Sequence, residues 1–239
     1  MRSVNGEQRH VDLNADLGEE VTDDAALLAV VTSANVACGY HAGTPETMRL
    51  VCAEAGWRGV TIGAQVSYLD RANFGRVAHD VPADLLREQV ADQVGVLSSI
   101  AVSEGATVSY VKPHGALYNR VVDDAVQARA VLDGSGALPV LGLPGGVLLE
   151  LAAADGRTTW REGFPDRGYT PEGRLVPRDQ PGALVEGVDT VARRAVELAP
   201  DVDSVCVHGD SPSAVEAARA VRRALEAAGY SLRGLGQGR

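Results

Sequence analysis

The chain has 239 residues, 45% of them hydrophobic, and a formal net charge of −10. This length and composition are typical of one globular α/β domain, and α/β barrels often reach this size without dividing. The acidic balance, with basic residues paired only at 193–194 and 222–223, argues against nucleic acid and against an anionic membrane surface as partners.

The cysteines and the N-terminal segment bear on the compartment. The three cysteines are Cys38, Cys52 and Cys206, and they form no Cys-x-x-Cys motif. An odd number leaves at least one cysteine without a disulfide partner in the chain, which is typical of a reducing environment. Residues 1–20 have no apolar signal core, and no stretch approaches the roughly 18 apolar residues of a membrane span. We therefore expect a cytoplasmic protein that does not cross a membrane.

Seven short apolar segments predict strands, and each is followed by a polar cluster and then a helical stretch. They are residues 10–14, 34–38, 60–64, 107–111, 138–143, 158–162 and 204–207. Strands that alternate with helices predict parallel pairing with right-handed crossovers. We therefore predict one α/β domain over residues 1–239, with a core over about 10–230, folded as a (β/α) barrel of about seven strands. In such barrels the active site forms at the carboxyl ends of the strands.

Several segments carry clear local signals. Residues 44–46 (Thr-Pro-Glu) and 211–212 (Ser-Pro) supply an N-cap and a proline at the first helical position. Apolar residues at helical spacing predict one long helix over 82–104. Residues 163–187 contain several glycines and prolines without periodicity, and an irregular segment of this length inside a domain is usually functional or mobile.

Two polar clusters suggest chemistry. Asp12, Asn14 and Asp16 are spaced two apart, so on a strand they share one face. Three polar groups in a barrel interior are costly unless they bind something or each other; one carboxylate could act as a general base, and the alternative is a structural network. Lys112 is the single lysine and lies two residues before His114. Unlike the guanidinium of arginine, the ammonium of lysine is compact and can lose its proton.

Other signals are weaker or absent. His41 lies between glycines and could serve as an acid, a base or a metal ligand. Neither G-x-G-x-x-G nor G-x-x-x-x-G-K-[ST] occurs. The chain therefore has no standard phosphate-binding loop for ATP.

Taken together, six motifs resemble the LamB/YcsF family, whose characterised activity is that of an ATP-dependent 5-oxoprolinase. They are residues 12–19 (Asp-Leu-Asn-Ala-Asp-Leu-Gly-Glu), 33–43 (Ser-Ala-Asn-Val-Ala-Cys-Gly-Tyr-His-Ala-Gly), 111–119 (Val-Lys-Pro-His-Gly-Ala-Leu-Tyr-Asn), 164–169 (Phe-Pro-Asp-Arg-Gly-Tyr), 175–178 (Leu-Val-Pro-Arg) and 207–210 (Val-His-Gly-Asp). The resemblance runs in order through most of the chain.

The resemblance implies a barrel related to glycoside hydrolase and deacetylase barrels. It also implies opening of the lactam of 5-oxoproline to glutamate, with ATP as co-substrate and with 5-oxoprolinase subunits B and C as partners that handle phosphoryl transfer. The expected catalytic residues are Asp12, Asp16, His41, Lys112 and His114. The expected substrate-binding residues are Asn14, Glu19, Gln65, Asp166, Arg167, Tyr169, Arg178, His208 and Asp210. No residue is assigned to a metal.

One segment departs from the family pattern. Where relatives usually have Gly-Ala-His-Pro-Ser-Phe-Pro-Asp, residues 63–70 read Gly-Ala-Gln-Val-Ser-Tyr-Leu-Asp. Gln65 cannot shuttle a proton at neutral pH and is a poor ligand for transition metals. Two alternatives therefore stay open: a metal-dependent hydrolase or deacetylase of a carbohydrate-like substrate, suggested by Asp16, His41 and His114, and a catalytically impaired assembly subunit.

Overall fold

The computed structural model describes residues 9–209 and 213–237. Within these residues the strands are β1 His10–Leu17, β2 Ser33–Ala37, β3 Thr61–Val66, β4 Val108–Pro113, β5 Val140–Gly142, β6 Thr159–Gly163, β7 Ser204–Val207 and β8 Ser231–Leu232. The α-helices are α1 Asp24–Leu28, α2 Pro45–Arg58, α3 Ala83–Ser103, α4 Gly115–Asp123, α5 Ala125–Gly134, α6 Val147–Ala154, α7 Val188–Leu198 and α8 Ala214–Ala227.

The first seven strands form a closed parallel barrel. Each strand from β1 to β7 pairs with the next one in the chain, and β1 also pairs with β7. The register of the closing pair places Asp12 opposite Ser204. The predicted seven-stranded (β/α) barrel is confirmed. The eighth strand, β8, pairs with the start of β1 and was not predicted, because two residues show no periodicity.

The side chains of β1 alternate between two different environments. Val11, Leu13, Ala15 and Leu17 belong to the apolar core between the barrel wall and the helices. The alternate residues 12, 14 and 16 point to the other face of the strand, into the barrel, and are buried as well. The barrel interior is therefore polar, whereas the hydrophobic core surrounds it.

Two predicted helix signals are confirmed. The Thr44 side chain accepts a hydrogen bond from the Thr47 amide (3.1 Å) at the start of α2, and α2 ends at Gly59 in the left-handed conformation, with φ 69°. The helix predicted over 82–104 is α3. The predicted N-cap at 211–212 lies outside the described residues. No helix within the described ranges combines the length and apolar character needed to cross a bilayer.

Gly63 leaves room for an aromatic ring inside the barrel. A Cβ atom at this position would overlap the Tyr110 ring, and both residues are buried. We expect Gly63→Ala to lower the free energy of unfolding by about 1–3 kcal/mol, because an overpacked interior must displace side chains or backbone. Denaturant unfolding measures this loss.

Gly95→Ala in α3 is the matched control for that substitution. A Cβ atom there meets nothing within 4 Å, so we expect it to be neutral or to stabilise the fold by about 0.5–1 kcal/mol. Equal stability of the two variants would contradict the packing argument for Gly63.

Candidate active site

A cavity of about 620 Å³ opens at the carboxyl ends of the strands. Its floor includes Asp16 from the end of β1 together with Lys112 and His114 from the end of β4. Residues of the 163–187 segment form one wall; they are Phe164, Arg167, Leu175, Pro177, Arg178 and Asp179. The irregular segment therefore contributes to the site, as predicted from its length and composition.

Lys112 is buried at the centre of an ion network. Its Nζ lies 3.0 Å from Asp16 Oδ1, 2.8 Å from Glu162 Oε1 and 3.3 Å from Cys206 Sγ, and the side chain is only 2% exposed. Burial alone would lower the pKa of Lys112, but the adjacent Asp16, Cys206 and Glu162 raise it well above its usual range. The ammonium is therefore charged at neutral pH and contacts two carboxylates.

Asp16 joins this network to the histidines of the site. Its other oxygen lies 3.6 Å from His114 Nδ1. Burial would raise the pKa of Asp16, yet the Lys112 ammonium and the contacts with His114 hold it well below its usual range. Asp16 is thus a carboxylate that faces the cavity in its ionised form.

Below Asp16, amide side chains fill the barrel. Asn35 donates to Asn14 Oδ1 (2.7 Å) and to Asp16 Oδ1 (2.9 Å), and it accepts from the Tyr110 hydroxyl (2.6 Å). Asn14 in turn donates to Ser204 Oγ (2.6 Å). Asn14 is therefore a member of the interior network and does not line the cavity.

Asp12 lies deeper, near the amino ends of the strands. It lies four positions before Asp16, about 13 Å along the strand. It accepts hydrogen bonds from the hydroxyls of Thr32 (2.7 Å), Ser33 (2.6 Å) and Ser204. The structure does not bring Asp12 together with the other expected catalytic residues.

Burial raises the pKa of Asp12 from 3.8 to about 6, although its three hydroxyl donors oppose the shift. Between about pH 4 and 6, the Asp12 carboxyl is therefore protonated in the folded chain and ionised in the unfolded chain. This contribution to stability is present below pH 4 and is lost as the pH rises to 6, by about 3 kcal/mol.

We expect Asp12→Asn to flatten this part of the curve of unfolding free energy against pH, with the exposed substitution Asp133→Asn as control. An unchanged slope would contradict the assignment.

A second cluster contains Glu19, His41, Gln65 and His114, all buried. Glu19 Oε1 lies 3.4 Å from His41 Nε2, 3.6 Å from His114 Nδ1 and 2.9 Å from Gln65 Nε2. The imidazole rings of His41 and His114 stack, with centroids 4.0 Å apart and planes 15° apart. Burial, together with His114, lowers the pKa of His41 to about 4, so this ring is neutral at physiological pH.

His208 lies on the opposite side of the cavity, at the end of β7. Asp166 Oδ2 accepts from His208 Nδ1 (2.8 Å) and from its backbone amide (3.1 Å), and the Phe164 ring stacks on the imidazole. Burial would lower the pKa of His208, but Asp166 raises it above its usual value. This fixed imidazole can therefore hold a proton at the cavity.

Three more expected residues lie in the 163–187 segment. Arg167 donates to the carbonyl oxygens of Ala183 (3.0 Å) and Val176 (2.7 Å), so its guanidinium holds the segment together as well as lining the cavity. The Tyr169 hydroxyl accepts from the Phe164 amide (2.8 Å), and Arg178 lines the cavity. Asp210 lies outside the described residues.

Glu162 was not among the expected site residues. It is fully buried in β6 and contacts Lys112. The available signal was its position two residues after Trp160 in the predicted strand 158–162, which places both side chains on one face. A carboxylate on the same face as a large apolar residue requires a partner. Cys206 was not singled out either, and it is buried in contact with Lys112 Nζ.

These features define a closed parallel β/α barrel with a charged cavity at the carboxyl ends of its strands, the usual place of the active site in this class of fold. A model of the LamB/YcsF family matches residues 11–238. The chain belongs to this family.

Curated relatives with nearly full-length matches carry this family's activity in their names. The chain is 56% identical to the 5-oxoprolinase A subunit of Streptomyces coelicolor, over 93% of this chain and 98% of that protein. It is 49% identical to the protein of the same name from Mycolicibacterium gilvum, over 93% of this chain and 97% of the relative. These matches support a 5-oxoprolinase-related function at the level of the family.

Solved structures agree with the fold. The lactam utilization protein from Thermus thermophilus is 35% identical and superposes with a TM-score of 0.87, over 95% of this chain and 100% of that chain. The catalytic domain of a peptidoglycan N-acetylglucosamine deacetylase from Eubacterium rectale has a TM-score of 0.56 at 14% identity, over 99% of this chain and 93% of that chain. The second likeness concerns the fold alone.

Proposed function

We propose that the chain is the lactam-hydrolysing component of an ATP-dependent 5-oxoprolinase in the cytoplasm, opening 5-oxoproline to glutamate together with subunits B and C. The observation that carries the proposal is the nearly full-length match, with 56% identity, to the 5-oxoprolinase A subunit of Streptomyces coelicolor. The name of the Thermus thermophilus relative, a lactam utilization protein, supports the same substrate class.

The charge of the cavity suits an anionic lactam. The chain as a whole has a net charge of −10, yet arginines and Lys112 line this opening; they are Arg76, Arg120, Arg167 and Arg178. Positive groups in a concave site concentrate an anionic substrate, and 5-oxoproline carries a carboxylate. Phosphorylation of its lactam oxygen adds further negative charge.

The polar groups of the cavity fit the steps of ring opening. Water must add to the activated lactam carbon, and the bond from this carbon to the ring nitrogen must break, which gives the 5-phosphate of glutamate. A second water then releases inorganic phosphate and leaves glutamate. Asp16 lies on the floor beside His114 and can orient the first water and accept its proton. The ring nitrogen needs a proton as it leaves, and His208, whose pKa Asp166 raises, lines the cavity and can supply it.

ATP is assigned to the partner subunits in this proposal. Lactams are poor electrophiles, so phosphoryl transfer must precede attack by water, and the chain has no P-loop sequence for that step. Subunits B and C would then form the activated lactam and pass it to the cavity.

An assay of glutamate release tests the proposal. The purified chain is mixed with 5-oxoproline and ATP, with and without subunits B and C, and the Streptomyces coelicolor protein replaces it in a parallel reaction. We expect glutamate only when ATP and all three subunits are present. If the Streptomyces coelicolor protein supports turnover and this chain does not, the proposal fails and the non-catalytic alternative raised by Gln65 is favoured.

A further inference from the structure

We propose that Glu19, His41 and His114 form a binding site for one divalent transition-metal ion of the zinc class, beneath the floor of the cavity. Each residue offers one ligand atom, and these atoms all lie within 4.8 Å of one another. Tetrahedral bonds of about 2.0–2.2 Å place the ligand atoms roughly 3.4 Å apart. Glu19 Oε1 lies 3.4 Å from His41 Nε2 and 3.6 Å from His114 Nδ1. The inference concerns binding and does not depend on the proposed reaction.

The hydrogen bonds of His114 orient it as a ligand. Its Nε2–H donates to the Phe74 carbonyl oxygen (3.2 Å), which leaves a lone pair on Nδ1 directed toward Glu19. Histidine ligands of metals almost always donate their other ring N–H to a carbonyl or carboxylate in this way. His41 Nε2–H donates to the same Glu19 oxygen (3.4 Å), and coordination of an ion would replace this proton.

Gln65 lies between two of these ligands. Its Nε2 lies 2.9 Å from Glu19 Oε1 and 2.8 Å from His114 Nδ1, so its amide protons bridge the carboxylate and the imidazole, whereas its buried Oε1 has no hydrogen-bond partner among the described residues. An amide is a poor ligand for transition metals. The ion would therefore be held by Glu19, His41 and His114, and the carboxamide of Gln65 would turn away from it.

The buried charges point in the same direction. Three carboxylates contact Lys112 or His114, namely Asp16, Glu19 and Glu162. Lys112 supplies one positive charge against these three, and isolated buried negative charge is strongly unfavourable. A divalent ion would balance the remainder. Two imidazoles favour zinc, cobalt or nickel over magnesium or calcium, which prefer oxygen ligands throughout.

The test measures metal binding to the full-length chain. After dialysis against EDTA, the protein is loaded with ZnCl₂, passed through a desalting column and analysed for zinc by mass spectrometry. We expect one equivalent of zinc to be retained and the midpoint of thermal unfolding to rise. In Glu19→Gln, which keeps the side-chain shape, we expect the dissociation constant to increase at least about tenfold, because even the loss of a group that only supports a ligand costs this much.

His79→Ala is the matched control, because His79 also lies beside a carboxylate, Asp70 (3.5 Å), but outside the cluster. It should retain zinc like the unmodified chain. Cobalt loading of the unmodified chain gives an independent readout: intense visible absorption is expected from a four-coordinate site with two imidazoles. Absence of stoichiometric zinc, or equal retention by Glu19→Gln, would overturn the proposal.

Discussion

Replacing Lys112 with methionine is expected to lower the free energy of unfolding by about 3–5 kcal/mol at neutral pH. Methionine preserves much of the packing but leaves Asp16 and Glu162 buried without the ammonium that contacts both. Removing one partner of a buried ion network costs far more than the network contributes, because the remaining charges cannot be hydrated. Denaturant unfolding at pH 7 measures the effect.

Arg49→Met is the control for Lys112. Arg49 also contacts a carboxylate, Glu46 (3.0 Å), but its side chain is 48% exposed. Exposed ion pairs contribute about 1 kcal/mol or less, so this variant should unfold nearly as the unmodified chain does. Glu162→Gln in the Lys112→Met background should recover part of the loss. A loss below about 1 kcal/mol for Lys112→Met would mean that the ammonium does not balance the buried carboxylates.

Replacing His208 with glutamine should reduce the rate constant kcat for glutamate formation by about 10²- to 10⁴-fold. This expectation rests on the proposed function, with His208 as the acid that protonates the departing ring nitrogen. Glutamine preserves polarity and approximate size but cannot deliver a proton at neutral pH. The coupled assay with all three subunits measures kcat and KM, and we expect KM to change little.

Asp166→Asn separates an acid role from a purely structural one. Asp166 raises the pKa of His208, so its loss should move the alkaline limb of the pH–rate profile to lower pH. His79→Gln is the control, since His79 lies beside Asp70 and away from the cavity. An unshifted profile for Asp166→Asn, together with near-normal kcat for His208→Gln, would remove His208 from the mechanism.

The sequence predicted the barrel because its signals are local. Each of the seven strands is a short apolar run between turn-forming residues, and parallel pairing follows from the intervening helices. The same rule placed Lys112 and His114 at the end of a strand, and the structure places both on the cavity floor.

Depth within the barrel could not be predicted in this way. Because side chains alternate along a strand, Asp12 and Asp16 are predicted to share a face. The alternation does not show that Asp12 lies near the amino ends of the strands and Asp16 near their carboxyl ends. That distinction depends on the register with β7, where Asp12 meets Ser204. Glu162 was missed for a related reason: its partner, Lys112, is on another strand, and no spacing along the chain joins them.

Closure of the barrel between its first and seventh strands has a consequence for biosynthesis. Ser204 donates its hydroxyl proton to Asp12 across 192 positions of the sequence. While the chain is still being made, β1 can pair with β2 but must leave its other edge open until β7 emerges from the ribosome. Contacts so distant in sequence slow folding, and unpaired edges favour aggregation. We therefore expect nascent chains that end before residue 204 to depend on chaperones, and chains extended past β7 to become protease-resistant abruptly.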